Sequence, residues 1–121
     1  MPRSTIIEIE RFVRPLMNSV IAHDYKHVDR VRVWAKKLAI TEGYVLTDEV
    51  EAAALLHDIG LSKDTGRRHA EFSVEMAFPF LHQQAAFGAP SIDRIVDAIR
   101  HHSSLNGTGK LYEILQDADG L

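Results

Sequence analysis

Apolar residues recur every three to four positions along nearly the whole chain, and no period-two stretch of useful length interrupts them. That spacing lets helices bury one face each, so the chain is expected to be all-α, a bundle of about six helices. Punctuation sets their limits. Residues 4–22 carry Ile6, Ile9, Phe12, Val13, Leu16 and Val20 at helical spacing, with Pro15 expected to kink or split the helix. A second helix is expected over 25–42, closed by Gly43. A third begins with Thr47 as its N-cap and ends at Gly60. Residues 61–68 read as a polar loop, and a fourth helix follows over 69–84, disturbed by Pro79. After Gly88-Ala89-Pro90-Ser91 a fifth spans 91–102, and a turn-rich stretch around Asn106-Gly107 precedes a sixth over 110–119. With no repeat, low-complexity tract or linker, residues 1–121 read as a single domain, long enough to bury a core without disulfides.

Composition narrows the chemistry. The chain has no cysteine and seven histidines, so any bound metal must be held by imidazole and carboxylate. A net charge of -3, with both signs interspersed, leaves no electrostatic footprint for duplex nucleic acid. No apolar run approaches the length of a bilayer span, and Met1 opens no signal-peptide pattern, so a cytoplasmic protein that avoids membranes is expected.

The most informative stretch is Ala52-Ala53-Ala54-Leu55-Leu56-His57-Asp58-Ile59-Gly60, a nearly apolar helix that ends on a His-Asp pair before a glycine. Burying an imidazole and a carboxylate there is costly unless they are paired or bind a metal. Neighbouring helical residues point about 100° apart, so both reach one ion only where the helix is ending, and Gly60 is expected to supply that ending. Taken alone, the pair would also serve as a helix end facing water. Four further residues occupy apolar stripes: His27 with Val31, Trp34 and Leu38; His69 with Phe72, Met76 and Phe80; His102 with Ile92, Ile95 and Ile99; and Asp119 with Leu111 and Leu115. In the tandem His101-His102, the first histidine falls instead with Arg94 and Asp97 on the polar side. Any one of these is readily a satisfied core histidine or a solvated carboxylate. Five segments each sending a metal-capable side chain inward suggest that they satisfy one another through metal.

His27, the His57-Asp58 doublet and Asp119, within Lys26-His27-Val28-Asp29-Arg30-Val31, Ala54-Leu55-Leu56-His57-Asp58-Ile59-Gly60 and Leu115-Gln116-Asp117-Ala118-Asp119, resemble the H...HD...D signature of the HD-domain superfamily of metal-dependent phosphohydrolases. The resemblance covers roughly residues 24–121. His69 and His102 resemble the two extra histidines of members that hold two metals. It implies an HD-domain-like helical bundle and a metal set of His27, His57, Asp58, His69, His102 and Asp119. Members usually continue with further helix, whereas here two residues follow Asp119, so either the chain is a truncated domain or the metal pins this end. The Gly-Tyr-Pro element of relatives that degrade cyclic dinucleotides is replaced by Ser103-Ser104-Leu105-Asn106-Gly107, which disfavours that substrate.

The implied activity is hydrolysis of a phosphomonoester or phosphodiester, a nucleotide-like small molecule, by water activated on one or two divalent ions. Manganese, iron, zinc, cobalt or nickel suits this donor set better than magnesium. Asp58 is expected to bridge a pair of ions and, with Arg30 and Lys63, to form the catalytic group. Lys63, Arg67 and Arg68 are expected to hold phosphate oxygens by charge-assisted hydrogen bonds. Two alternatives stand beside this reading: a di-iron oxygenase with the same six ligands, and a non-catalytic, metal-stabilised nucleotide-binding domain. Assembly into an oligomer is left open.

Overall fold

The computed structural model describes residues 3–18, 25–63, 68–84, 86–102 and 107–120. Among them lie six α-helices and one short 3-10 turn, with no strand. The helices are α1 (Arg3–Met17), α2 (Tyr25–Glu42), α3 (Thr47–Leu56), α4 (His69–Gln83), α5 (Ala89–His101) and α6 (Lys110–Asp119); the 3-10 turn (Ile59–Ser62) follows α3.

The third helix is the axle of the fold. Ala52 to Leu56 are apolar all round, which suits a helix enclosed on every side. It packs against α1, α2, α5 and α6, and each residue from Glu49 to Leu56 is buried. The outer helices each contribute one apolar stripe: Ile6, Ile9, Val13 and Met17 from α1, Ile92, Ile95, Val96 and Ile99 from α5, and Leu111, Ile114, Leu115 and Ala118 from α6. The fourth helix lies against α5 and the 3-10 turn, and the Phe80 ring stacks on Phe12 of α1 with centroids 4.1 Å apart.

Several local expectations are corrected. Neither Pro15 nor Pro79 splits its helix; the helices run on to Met17 and Gln83. Thr47 is the first helical residue rather than the cap; Leu46 occupies the cap position, with no side-chain hydrogen bond there. In α2 the buried stripe is Val28, Val31, Ala35 and Ala39, while Trp34 is turned outward with the Lys37 ammonium over its ring at 4.8 Å. In α4 it is Ala70, Ser73, Ala77 and Leu81, one step round from the Phe72, Met76, Phe80 line. In both helices small residues occupy the closest approach and larger ones flank it, because a bulky side chain would hold the backbones apart.

Gly43 ends α2 as expected, with φ +75° and the next amide, that of Tyr44, bonded back to Ala39 O at 2.8 Å. Gly60 acts differently. The helix has already ended at Leu56, and Gly60 lies inside the 3-10 turn. A Cβ on it would fall 2.0 Å from His69 O and 2.5 Å from Ser73 N, so the glycine is required by the close approach of the turn to α4. The expected N-terminal helix residues 19–22 and the turn at Asn106 fall outside the described residues, as does Arg67.

Candidate metal centre

Five elements bring six side chains to one place. His27 enters from the first turn of α2, His57 and Asp58 from the turn that ends α3, His69 from the start of α4, His102 from just past α5, and Asp119 from the last residue of α6. Helix ends suit this task because each delivers a side chain to a common point without threading a whole helix through the core.

Asp58 is the centre of the group. Its side chain is 5% exposed, and its two oxygens face different partners. Oδ2 lies 3.2 Å from His57 Nε2 and 3.8 Å from His27 Nε2. Oδ1 lies 3.3 Å from His102 Nε2 and 3.6 Å from His69 Nε2. Asp119 Oδ1 completes the first side, 3.3 Å from His27 Nε2 and 3.2 Å from His57 Nε2. Two ligand groups result, His27, His57, Asp58 and Asp119 on one hand, Asp58, His69 and His102 on the other, each with its donor atoms within 4.8 Å of one another. Asp58 is common to both.

Two of the rings are oriented by backbone. His57 Nδ1 lies 2.6 Å from Ala54 O and His102 Nδ1 lies 2.7 Å from Ile99 O, both three residues earlier in the chain. A carbonyl only accepts, so each Nδ1 carries the hydrogen and donates it. In the neutral ring Nε2 is then left with a lone pair aimed at Asp58, the arrangement typical of metal-binding histidines.

The electrostatics call for a cation. Burial opposes protonation of His57, yet the adjacent Asp58 and Asp119 carboxylates outweigh it and push the imidazole pKa up to about 10. Burial raises the Asp58 pKa, but the His57 charge and hydrogen bonds from His102 and His57 win and hold it well below the ordinary carboxylate range. Asp119 is lowered too, burial again being overcome by His57. Imidazole lone pairs and carboxylate oxygens converging in a buried space attract one another only through a positive charge between them. A proton on His57 supplies it in part, and a divalent ion matches the whole donor set.

A family model for the HD domain matches residues 24–121. This chain belongs to the HD-domain family. The HD domain is also similar to a solved structure described as a predicted HD superfamily hydrolase from an uncultured Thermotogales bacterium, with 35% identity and a TM-score of 0.85. The match covers 94% of this chain and 66% of that one, so this chain spans slightly less than two thirds of the neighbour's length. A search of curated proteins gives no match.

The remaining residues singled out in the sequence are placed as follows. His101 is half-buried and faces Asp97 at 3.6 Å. Arg30 is exposed, its Nη2 3.4 Å from His27 Nδ1. Lys63 is exposed just beyond the 3-10 turn. Arg68 is exposed, bonded to Glu71 at 3.1 Å, with its guanidinium over the Phe72 ring. Reasoning from sequence passed over Ser73, fully buried, whose Oγ accepts the Gly60 amide at 2.8 Å. Its signal was available: a small hydroxyl residue one turn after His69, on the same helical face.

Among the described residues no helix is long and apolar enough to cross a membrane.

Proposed function

We propose that this HD domain hydrolyses a phosphate ester, a phosphomonoester or phosphodiester of nucleotide-like character, at a centre of two divalent ions. His27, His57, Asp58 and Asp119 would hold one ion, and His69, His102 and the other oxygen of Asp58 the second. The observation that carries the reading is the division of Asp58, whose Oδ2 faces His57 and His27 while Oδ1 faces His102 and His69. A carboxylate shared in this way suits a bridge between two ions. The Thermotogales neighbour, named as a hydrolase, supports the reaction class.

When bound, such ions lower the pKa of a coordinated water and polarise a phosphoryl oxygen. The chain's own residues do the rest. His57 and His102, held by their Nδ1–H bonds to backbone, keep Nε2 aimed inward, so the donor set is organised in advance. Leu56 and Ile59, both fully buried beside the doublet, keep bulk water from the inner side. His27, Asp119 and His69 are the partly exposed ligands, with side chains 18%, 28% and 20% accessible, and they mark the side from which substrate would enter. Arg30, Lys63, Arg67 and Arg68 are proposed to receive the phosphate oxygens. A guanidinium only donates, so its contact with His27 Nδ1 needs a lone pair there, whereas a ligand role for Nε2 of a neutral ring needs hydrogen on Nδ1. A ligand role for His27 would therefore leave Arg30 without an acceptor on that ring, so its guanidinium would be available to substrate.

The test is phosphate release from a panel of phosphomonoesters, phosphodiesters and nucleotides by protein exchanged into manganese, iron, zinc, cobalt or nickel. Turnover of at least one ester class in at least one metal form is expected. No turnover anywhere, combined with oxygen consumption by the iron form, would transfer the site to the di-iron oxygenase reading, which the same paired ligand groups suit.

A further inference from the structure

Only one of the two ligand groups depends on α4. His27, His57, Asp58 and Asp119 come from α2, the end of α3 and α6, whereas His69 brings α4 to Asp58. The position of α4 relative to the Asp58 turn therefore bears on the second group alone. Two contacts tie the start of α4 to that turn. Ser73 Oγ accepts the Gly60 amide at 2.8 Å, and the bare Cα of Gly60 lies so close to His69 O that a Cβ would collide at 2.0 Å. Gly60 is two residues after Asp58, and Ser73 is one turn after His69. The pair thus joins the turn carrying the shared carboxylate to the helix carrying His69, one of the two ligands found only in the second group.

We propose that Ser73 is a positioning residue that sets the affinity of the second ion through its hydrogen bond to Gly60. The inference rests on the two-ion reading above. Ser73 acts by holding the 3-10 turn against α4. Its hydroxyl satisfies a buried amide, so Ser73→Ala leaves that N–H without its partner while adding no bulk, and the start of α4, with His69, is free to shift relative to the turn. Losing a hydrogen bond made directly to a ligand weakens metal affinity by about tenfold to a hundredfold, and a support one step further out is expected at the lower end of that range.

The experiment is calorimetric titration of metal-free wild type, Ser73→Ala and Ser73→Thr with manganese, read beside their melting curves. Two binding events are expected in the wild type. In Ser73→Ala the weaker event should lose about tenfold in affinity while the tighter one is unchanged, and Ser73→Thr, which keeps the hydroxyl, should restore most of the loss. A role confined to stability would lower the melting temperature of Ser73→Ala and leave both affinities alone, which overturns the proposal. Equal weakening of both events also overturns it. Two events in the wild type with either of those results sink the Ser73 inference only; a single event in the wild type sinks the two-ion reading and this inference together.

Discussion

The two ends of α3 carry buried charge in opposite ways. At the N-terminal end Glu49, its side chain 2% exposed, accepts from Tyr44 Oη at 2.9 Å, from Ser91 Oγ at 2.7 Å and from Arg94 through Nε at 2.9 Å and Nη2 at 2.6 Å. Two residues on, Glu51 is paired with Lys36 Nζ at 3.0 Å, and Arg32, which also bonds Glu10 and Asp29, lies 4.0 Å off. At the C-terminal end Asp58 is nearly as buried, but it is ringed by imidazole nitrogens, with a second carboxylate, Asp119, across His57. A guanidinium and two hydroxyls complete Glu49 with groups that can donate without any change of protonation. His57 and His102, whose Nδ1 hydrogens go to backbone carbonyls, complete Asp58 only when protonated or when a cation stands between them. The contrast separates a carboxylate built to hold the fold together from one built to hold something else, and its mark is the chemistry of the neighbours, since burial is alike at both ends.

The strongest way to break this comparison is Asp58→Asn, which preserves volume and removes the charge. Both ions should be lost, and hydrolysis should fall by roughly a thousandfold, the equivalent of several kcal/mol of electrostatic stabilisation. Elemental analysis and the ester assay check it. Two ions retained in Asp58→Asn would end the idea of a shared ligand.

Removing metal should have the next largest effect. An ion that binds only the folded chain adds about 2.7 kcal/mol when present at a hundred times its dissociation constant, so chelator should lower the melting temperature by on the order of 10 °C. Glu49→Gln should show the same drop on chelation, since its cluster contains its own cation. Unchanged melting in both proteins, with no metal found before treatment, would mean that the Asp58 end is as self-sufficient as the Glu49 end.

The smallest effect belongs to Glu49→Gln itself, which should cost about 2 kcal/mol, the scale of hydrogen bonds to a buried charge, with metal content unaltered. Its pH dependence sharpens the contrast. Burial raises the Glu49 pKa, but the bonds from Arg94, Ser91 and Tyr44 prevail and lower it below 4.5. A carboxylate depressed in the fold contributes fully above its unfolded pKa and loses that contribution as pH falls through the folded value. Measured in chelator, the gap in melting temperature between wild type and Glu49→Gln should be constant above about pH 5.5 and should narrow progressively below 4.5. A gap that persists undiminished to pH 3 would remove the ionised carboxylate from the explanation.

The two regions also differ in how far they could be read in advance. The His-Asp doublet stands out because an apolar run ending on two polar residues before a glycine is a local anomaly, visible without the fold. Glu49 and Glu51 give no such sign. Acidic residues in a first helical turn are ordinary solvated positions, and their burial depends on Arg94, 45 residues later, and on Lys36 and Arg32 of another helix. The stripe arguments worked best where large apolar residues face inward, as in α5 and α6. They slipped by one step in α2 and α4, where alanine and serine occupy the closest approach and the aromatic residues stand aside.

Local patterns were sufficient for the helical class, for the limits of α2 and α6, for the family and for the six side chains worth following, because periodicity, glycine at a left-handed turn and a polar break in an apolar run act over a few residues. The division of Asp58 between two histidine sets, the tight seat of Gly60 under α4, the hydroxyl of Ser73 beneath it and the closure of Glu49 by Arg94 were decided only by tertiary structure. Each is a distance between segments far apart in the chain, fixed by how small residues let helices approach, and no local spacing encodes it.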